Sequence, residues 1–158
     1  MTSPNPVPNG YQTVTPYLIV PDGTAALDFY SRAFGAEVLI QLPGPDGQGL
    51  LHAELKIGNS IVMLADERGG PTTGRAPRGS DPTGFSLHLY VEEVDQLFRQ
   101  AVNEGCKVVM PLYDAFWGDR YGKVEDPFGH AWSMSSRVRE MTKDEVLQAA
   151  EQYLRQPS

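Results

Sequence analysis

The sequence is short of cysteine, of basic residues and of long apolar runs, and each shortage excludes a class of protein. Its single cysteine, Cys106, cannot form an intrachain disulfide or a CxxC zinc or redox motif. With 13 Lys and Arg against 20 Asp and Glu, the net charge is −7, so nucleic acid and anionic membranes are poor partners. No apolar run is long enough to span a bilayer, and no signal peptide is recognisable. We therefore expect a cytoplasmic protein.

Hydrophobic periodicity predicts the element order β-α-β-β-β twice along the chain. The pattern predicts a first half with a strand over 14–20, a helix over 24–34 and strands near 37–42, 50–57 and 60–65. It predicts a second half with a strand over 85–91, a helix from 94 to Gly105 and strands near 106–112, 119–125 and 130–136. Thr24 is the expected N-cap of the first helix, and Gly35 its end.

The two halves form similar modules that match at an offset of about 70 residues, judged by element order. We assign them to residues 13–66 and 84–138, joined by a Gly- and Pro-rich linker at 67–83. Residues 1–12 are rich in Pro and Asn and predict a flexible N-terminal arm. Thr142 and Glu145 have capping-box spacing, so residues 139–158 are expected to contain a C-terminal helix.

Three segments carry a resemblance to a known family: YLIVPDGTAALDFYSRAFGAEV, LLHAELKIGNSIVMLADE and, most specifically, AFWGDRYGKVEDPFGHAW. Over residues 13–138 the chain resembles the vicinal oxygen chelate superfamily, which includes glyoxalase I, bleomycin-resistance proteins, fosfomycin-resistance enzymes and extradiol dioxygenases. Within it, the chain is most similar to the PhnB-like branch. The resemblance implies an α+β fold in which two tandem βαβββ modules form a cupped, eight-stranded open barrel around a cavity. It also implies a homodimer.

Enzymes of this superfamily usually hold one divalent metal through His, Gln or Glu side chains on four strands. The resemblance places those four positions on Thr15, Met63, Ser86 and Ser133. None of these is a good ligand for a divalent metal. We therefore expect no metal and no other cofactor. The chain is then similar to the metal-free bleomycin-resistance proteins, which bind an organic ligand in the same cavity.

The expected ligand site is an apolar and aromatic cavity. Strand alternation puts His88 on the same face as Ser86 and Tyr90, opposite the helix-facing residues. His88 is a candidate general base or ligand-binding group, or else a wall residue without chemistry. The resemblance and the alternation together predict a cavity lined by Thr15, Tyr17, Met63, Ser86, His88 and Ser133. Its predicted rim is Trp117, Arg120 and Tyr121, although Arg120 could instead brace a turn and Trp117 fill core.

Two other functions stay open at this point. His52, Glu54 and His88 have the composition of a two-histidine, one-carboxylate metal site, which would support a metal-dependent lyase or dioxygenase. Strand separation argues against convergence of these three side chains, and a solvated or dimer-facing polar surface is the alternative for His52 and Glu54. A purely structural or partner-binding module would have its cavity filled by side chains. The remaining candidates, Cys106, His130 and Trp132, are expected to be buried core residues.

Overall fold

The computed structural model describes residues 3–68, 74–79 and 83–157. The chain divides into two compact units, Met1–Asp81 (unit 1) and Pro82–Ser158 (unit 2). The predicted linker 67–83 lies partly outside the described residues, at 69–73 and 80–82, as do residues 1, 2 and 158 of the predicted terminal segments. No helix in the described ranges is long and apolar enough to cross a membrane.

Unit 1 contains one helix and a four-stranded mixed sheet. Its elements are β1 (Tyr17–Val20), α1 (Gly23–Phe34), β2 (Glu37–Pro43), β3 (Leu50–Ile57) and β4 (Ser60–Asp66). The strand order is β1-β4-β3-β2, with β1 parallel to β4 and the other pairs antiparallel. Strand β1, helix α1 and strands β2 to β4 thus form the first predicted βαβββ module.

Unit 2 repeats this arrangement and adds a terminal helix. Its elements are β5 (Leu87–Tyr90), α2 (Val94–Glu104), β6 (Lys107–Asp114), β7 (Asp119–Glu125), β8 (Ala131–Arg137) and α3 (Lys143–Leu154). The strand order β5-β8-β7-β6 is the same as in unit 1, with β5 parallel to β8. The prediction of an α+β fold with two tandem βαβββ modules is confirmed.

Two strands begin later than their apolar runs predicted. Strand β1 begins at Tyr17 instead of Val14, because Pro16 has no amide hydrogen and joins the sheet only through its carbonyl, which accepts from the Met63 amide at 2.9 Å. Val14 is 82% exposed. Strand β5 begins at Leu87 instead of Phe85, which is also exposed. An apolar residue that precedes a buried strand therefore need not pair with a neighbouring strand itself.

The N-cap of α1 is Asp22, and the prediction of Thr24 was wrong. The Asp22 side chain accepts a hydrogen bond from the Ala25 amide at 3.0 Å, so the helix starts one residue earlier, at Gly23. Gly35 ends the helix as predicted, in the left-handed conformation with φ of 66°. The predicted capping box of α3 is also present between Thr142 and Glu145.

Helices α1 and α2 each cover one face of their own sheet, and the site residues lie on the other face. In unit 1 the covered face buries Leu18, Val20, Leu55 and Leu64 against α1. In unit 2 it buries Trp132, as predicted, together with Met134 and Val124. Helix α2 lies so close to β7 that a Cβ at Gly122 would come within 2.8 Å of the Phe98 ring. Apolar packing on one face therefore directs the polar side chains to the other.

Candidate functional site: two polar-aromatic sheet faces

The uncovered face of the unit 1 sheet brings three polar side chains together, those of Tyr17, His52 and Glu54. Tyr17 on β1 pairs in register with Met63 on β4, which in turn pairs with Glu54 on β3. His52 lies two residues before Glu54 and therefore on the same face. The Tyr17 and His52 rings confirm this, because their centroids are 5.5 Å apart.

These side chains form a hydrogen-bonded chain that ends at Glu54. The Tyr17 hydroxyl lies 2.8 Å from His52 Nδ1, and His52 Nε2 lies 3.1 Å from Glu54 Oε1. Since a carboxylate only accepts, Nε2 carries the proton, and in the neutral ring Nδ1 accepts from the Tyr17 hydroxyl. Tyr11 of the N-terminal arm donates to Glu54 Oε2. Glu54 thus links the sheet to the arm.

Glu54 is nearly inaccessible to water, at 7% exposure, and it is held in the ionised form. The hydrogen bond from Tyr11 lowers the pKa of the Glu54 carboxyl most, and His52 lowers it further, against the opposing effect of burial. The same contact raises the pKa of the Tyr11 phenol. At neutral pH this site therefore presents a negative charge beside neutral phenols.

The arm and the sheet line an open cleft of about 400 Å³ in unit 1. Its lining residues are Pro6, Val7, Pro8, Tyr11, Gln12, Thr13, Thr15, Glu54 and Met63. Two of the predicted ligand-binding residues, Thr15 and Met63, are among them. The Thr15 hydroxyl donates to the backbone carbonyl of Gln12 at 3.0 Å, which positions the end of the arm.

The uncovered face of the unit 2 sheet is centred on His88. Its Nδ1 lies 2.7 Å from Ser133 Oγ, and its Nε2 lies 3.0 Å from Ser135 Oγ. Ser135 donates to Asp119 Oδ2 at 3.4 Å, so its oxygen accepts the proton on His88 Nε2, and Nδ1 accepts from Ser133. Both imidazole nitrogens are therefore used by the protein's own hydroxyl groups.

Aromatic rings surround His88. The imidazole stacks on Tyr121 with centroids 5.9 Å apart and meets the edge of Tyr90 at 4.5 Å. Trp117 contacts Tyr121 edge-on at 5.5 Å and donates from Nε1 to Asp119 Oδ2 at 3.1 Å. Partial burial lowers the pKa of His88, while Asp119 opposes this effect. The result is a neutral imidazole within an aromatic surface.

The other predicted site residues of unit 2 are placed differently. Arg120 follows Asp119 and precedes Tyr121, so it lies on the helix-facing side of β7. There it forms ion pairs with Asp95 at 2.8 Å and Asp114 at 3.2 Å, which raise its pKa. Arg120 thus links β7 to the start of α2 and to the end of β6. Ser86 is exposed and precedes β5.

Of the alternative metal ligands, His52 and Glu54 are adjacent in unit 1, and His88 belongs to unit 2. Within residues 3–68, 74–79 and 83–157, no three His, Cys, Asp or Glu side chains are grouped so as to hold a metal ion.

Cys106 is buried as predicted, and burial raises the pKa of its thiol to about 12, so it is not a nucleophile at neutral pH.

Sequence reasoning missed Tyr11, Asp119 and Ser135 as members of these clusters. Ser135 had a usable signal, because it shares a strand face with Ser133. Asp119 had the same signal, because it lies on the same strand face as Tyr121. Tyr11 had none, since it lies in an aperiodic arm whose contact with Glu54 spans 43 residues.

Comparisons with known proteins agree with this architecture. The model of the Glyoxalase/Bleomycin resistance protein/Dioxygenase superfamily matches residues 11–134. The uncharacterized protein Mb0911c of Mycobacterium bovis is 46% identical over 135 residues, which are 84% of this chain and 88% of that protein. The crystal structure of TioX from Micromonospora sp. ML1 has a TM-score of 0.64 at 29% identity, covering 80% of this chain and 98% of TioX.

A further structural neighbour is the PhnB protein of Bacillus cereus, with a TM-score of 0.62 at 19% identity. The match covers 79% of this chain and 99% of the PhnB chain. At that identity the likeness concerns the fold alone, and the fold is the one expected for the PhnB-like branch.

Proposed function

Because this chain belongs to the Glyoxalase/Bleomycin resistance protein/Dioxygenase superfamily, we propose that it binds a small organic ligand in the cleft of unit 1. The observation that carries the proposal is the cleft itself, about 400 Å³ in volume and lined by the predicted residues Thr15 and Met63. Ligand pockets typically enclose about 300–1,000 Å³ and combine apolar walls with a few polar groups. Here Pro6, Val7, Pro8 and Met63 are apolar, and Glu54 is the charged group among the polar lining residues.

The aromatic surface of unit 2 is proposed as a separate ligand-binding surface. Trp117 and Tyr121 offer ring faces and edges that suit a flat organic molecule. His88 would contribute its ring to this surface, because Ser133 and Ser135 use both of its nitrogens. A role for His88 as a general base would first require the loss of one of these hydrogen bonds.

The residue types do not fit the metal that the superfamily's enzymes usually hold. At the four corresponding positions the chain offers three hydroxyl groups and a thioether, none of them a carboxylate or imidazole. The Thr15 hydroxyl is used by Gln12, and that of Ser133 by His88.

The alternative of a metal-dependent lyase or dioxygenase built on His52, Glu54 and His88 has less support. A metal at His52 would have to displace either the Tyr17 hydroxyl or the Glu54 carboxylate from a ring nitrogen. We therefore propose ligand binding without this metal.

Filling the cleft tests the proposal. With methionines carrying ¹³C-labelled methyl groups, indole, quinoline or benzyl alcohol at millimolar concentration should shift the Met63 resonance. Met110, Met134 and Met141, which lie in unit 2, report on any other site. Thr15→Trp should abolish the Met63 shift, because the indole ring occupies the cleft. The matched control is Val14→Trp, since Val14 is 82% exposed and outside the lining, and it should retain the shift. A Met63 resonance that no probe moves would contradict the proposal.

A further inference from the structure

The wall of the unit 1 cleft contains a buried, ionised carboxylate, that of Glu54. In the described part of the chain, the hydrogen-bond partners of the Glu54 carboxylate are the Tyr11 phenol and the His52 imidazole. The Tyr11 phenol is a neutral donor, and the His52 imidazole forms an ion pair with the carboxylate when it is protonated. Burying an ionised carboxylate is costly unless an opposite charge or several hydrogen bonds compensate it. Within the described residues, two hydrogen bonds and the neighbouring His52 offset this cost, and a cationic ligand would offset it further.

The carboxylate keeps room for another donor. Each of its oxygens can accept two hydrogen bonds, and each has one donor among the described residues. Glu54 also forms part of the cleft wall. A group in the cleft therefore meets the small exposed edge of the carboxylate, beside the hydrogen bonds from Tyr11 and His52.

The surroundings of Glu54 are suited to an organic cation in particular. The Tyr11 ring is part of the cleft lining and offers a negative π-face to a positive group. Pro6, Val7 and Met63 form apolar walls for a hydrocarbon body. The net charge of −7 attracts cations and repels anions over a longer range.

We propose that the cleft of unit 1 selects organic cations, with the ammonium or guanidinium group of the ligand bound by Glu54 and its apolar body between the arm and Met63. The inference rests on the proposed function and names the ligand class of the same cleft. It gives Glu54 and Tyr11 roles in ligand binding that differ from the metal-ligand alternative for Glu54.

Three probes of the same size and different charge test the inference on the unmodified protein. Benzylamine is a cation at neutral pH, benzyl alcohol is neutral and benzoate is an anion. Their dissociation constants can be measured from the shift of the ¹³C-methyl resonance of Met63. We expect benzylamine to bind about tenfold more tightly than benzyl alcohol, and benzoate to bind most weakly. This comparison needs no variant, so it holds even if a substitution prevents folding.

Glu54→Gln removes the charge and keeps the shape of the side chain. The dissociation constant of benzylamine should rise about tenfold, to that of benzyl alcohol, while the value for benzyl alcohol should change less than twofold. The control Glu37→Gln removes the same charge from an exposed position on β2, outside the cleft lining, and should leave the preference for benzylamine intact.

The outcomes separate this inference from the proposed function. If benzylamine and benzyl alcohol shift Met63 with equal affinity, the cation inference is overturned and the ligand-binding proposal stands. Loss of the preference in Glu37→Gln as well as in Glu54→Gln would also overturn it, because the effect would then be that of net charge. If none of the three probes moves Met63, the proposed function itself fails, and the inference fails with it.

Discussion

At the scale of single residues, the role of a titratable side chain is decided by which of its atoms are already bonded. His88 has the residue type and strand face expected of a general base. Its two nitrogens, however, are held by serine hydroxyls on the neighbouring strand β8, and Asp119 orients one of those serines. What His88 leaves exposed is its ring, next to Tyr90 and Tyr121.

This network predicts a pH dependence of stability. The pKa of His88 lies below its ordinary value of 6.5 in the folded protein, so folding favours the neutral ring. That contribution is present above pH 6.5 and is lost as the pH falls below 6.5, because the unfolded chain then binds the proton more readily. Thermal unfolding midpoints at pH 7.5 and 5.5 should therefore differ less in His88→Gln than in the unmodified protein. An identical fall in both would contradict the assignment.

At the scale of elements, the last strand of each module caps the helix of that module. In unit 1 the Gly23 amide donates to Asp66 on β4 at 3.3 Å. In unit 2 the Val94 amide donates to Ser136 on β8 at 3.0 Å, and the Ser136 hydroxyl also donates to the Val91 carbonyl. The two positions are equivalent in the repeat. Both units therefore make the same contact, through a carboxylate in unit 1 and a hydroxyl in unit 2.

The position of the α1 N-cap predicts how two substitutions change the free energy of unfolding. Asp22→Ala should lower the free energy of unfolding by about 1 kcal/mol, because the Ala25 amide loses its acceptor at the start of α1. Thr24→Ala should change it by less than about 0.5 kcal/mol, since Thr24 is an exposed residue within the helix. Urea denaturation with an unchanged slope measures both values. Equal losses in the two variants would show that Asp22 is not the cap.

At the scale of the whole molecule, the chain is two copies of one module with different chemistry on their uncovered faces. The face in unit 1 carries an ionised carboxylate and a cleft, and the face in unit 2 carries a neutral imidazole among aromatic rings. The two units therefore share the fold, which depends on apolar periodicity, and differ in the polar faces.

The metal content of the whole protein follows from these faces. Protein purified without an affinity tag should contain far less than one metal ion per chain, before and after incubation with nickel, zinc, manganese or iron(II). The reason is the donor set at Thr15, Met63, Ser86 and Ser133, together with the hydrogen bonds that already use His52 and Glu54. Elemental analysis gives the ratio. Close to one ion per chain, lost in His52→Ala, would establish the metal-dependent alternative instead.

The order of the elements could be predicted from the sequence because its signals are local. Strand alternation has a period of two, helix amphipathicity a period of about 3.6, and glycine marks the helix ends at Gly35 and Gly105. The same locality explains the errors. Val14 and Phe85 continue an apolar run without a partner strand, and Thr24 has the right residue type next to the better-placed Asp22.

The sequence by itself therefore determined the two βαβββ modules, the strand faces and the family. Only the tertiary structure decided which side chains meet on those faces. Parallel pairing of β5 with β8 joins His88 to Ser133 and Ser135 across 45 and 47 residues, and the arm brings Tyr11 to Glu54 across 43. These contacts depend on strand order and on where an aperiodic segment folds back, and a repeating local pattern carries no information about either.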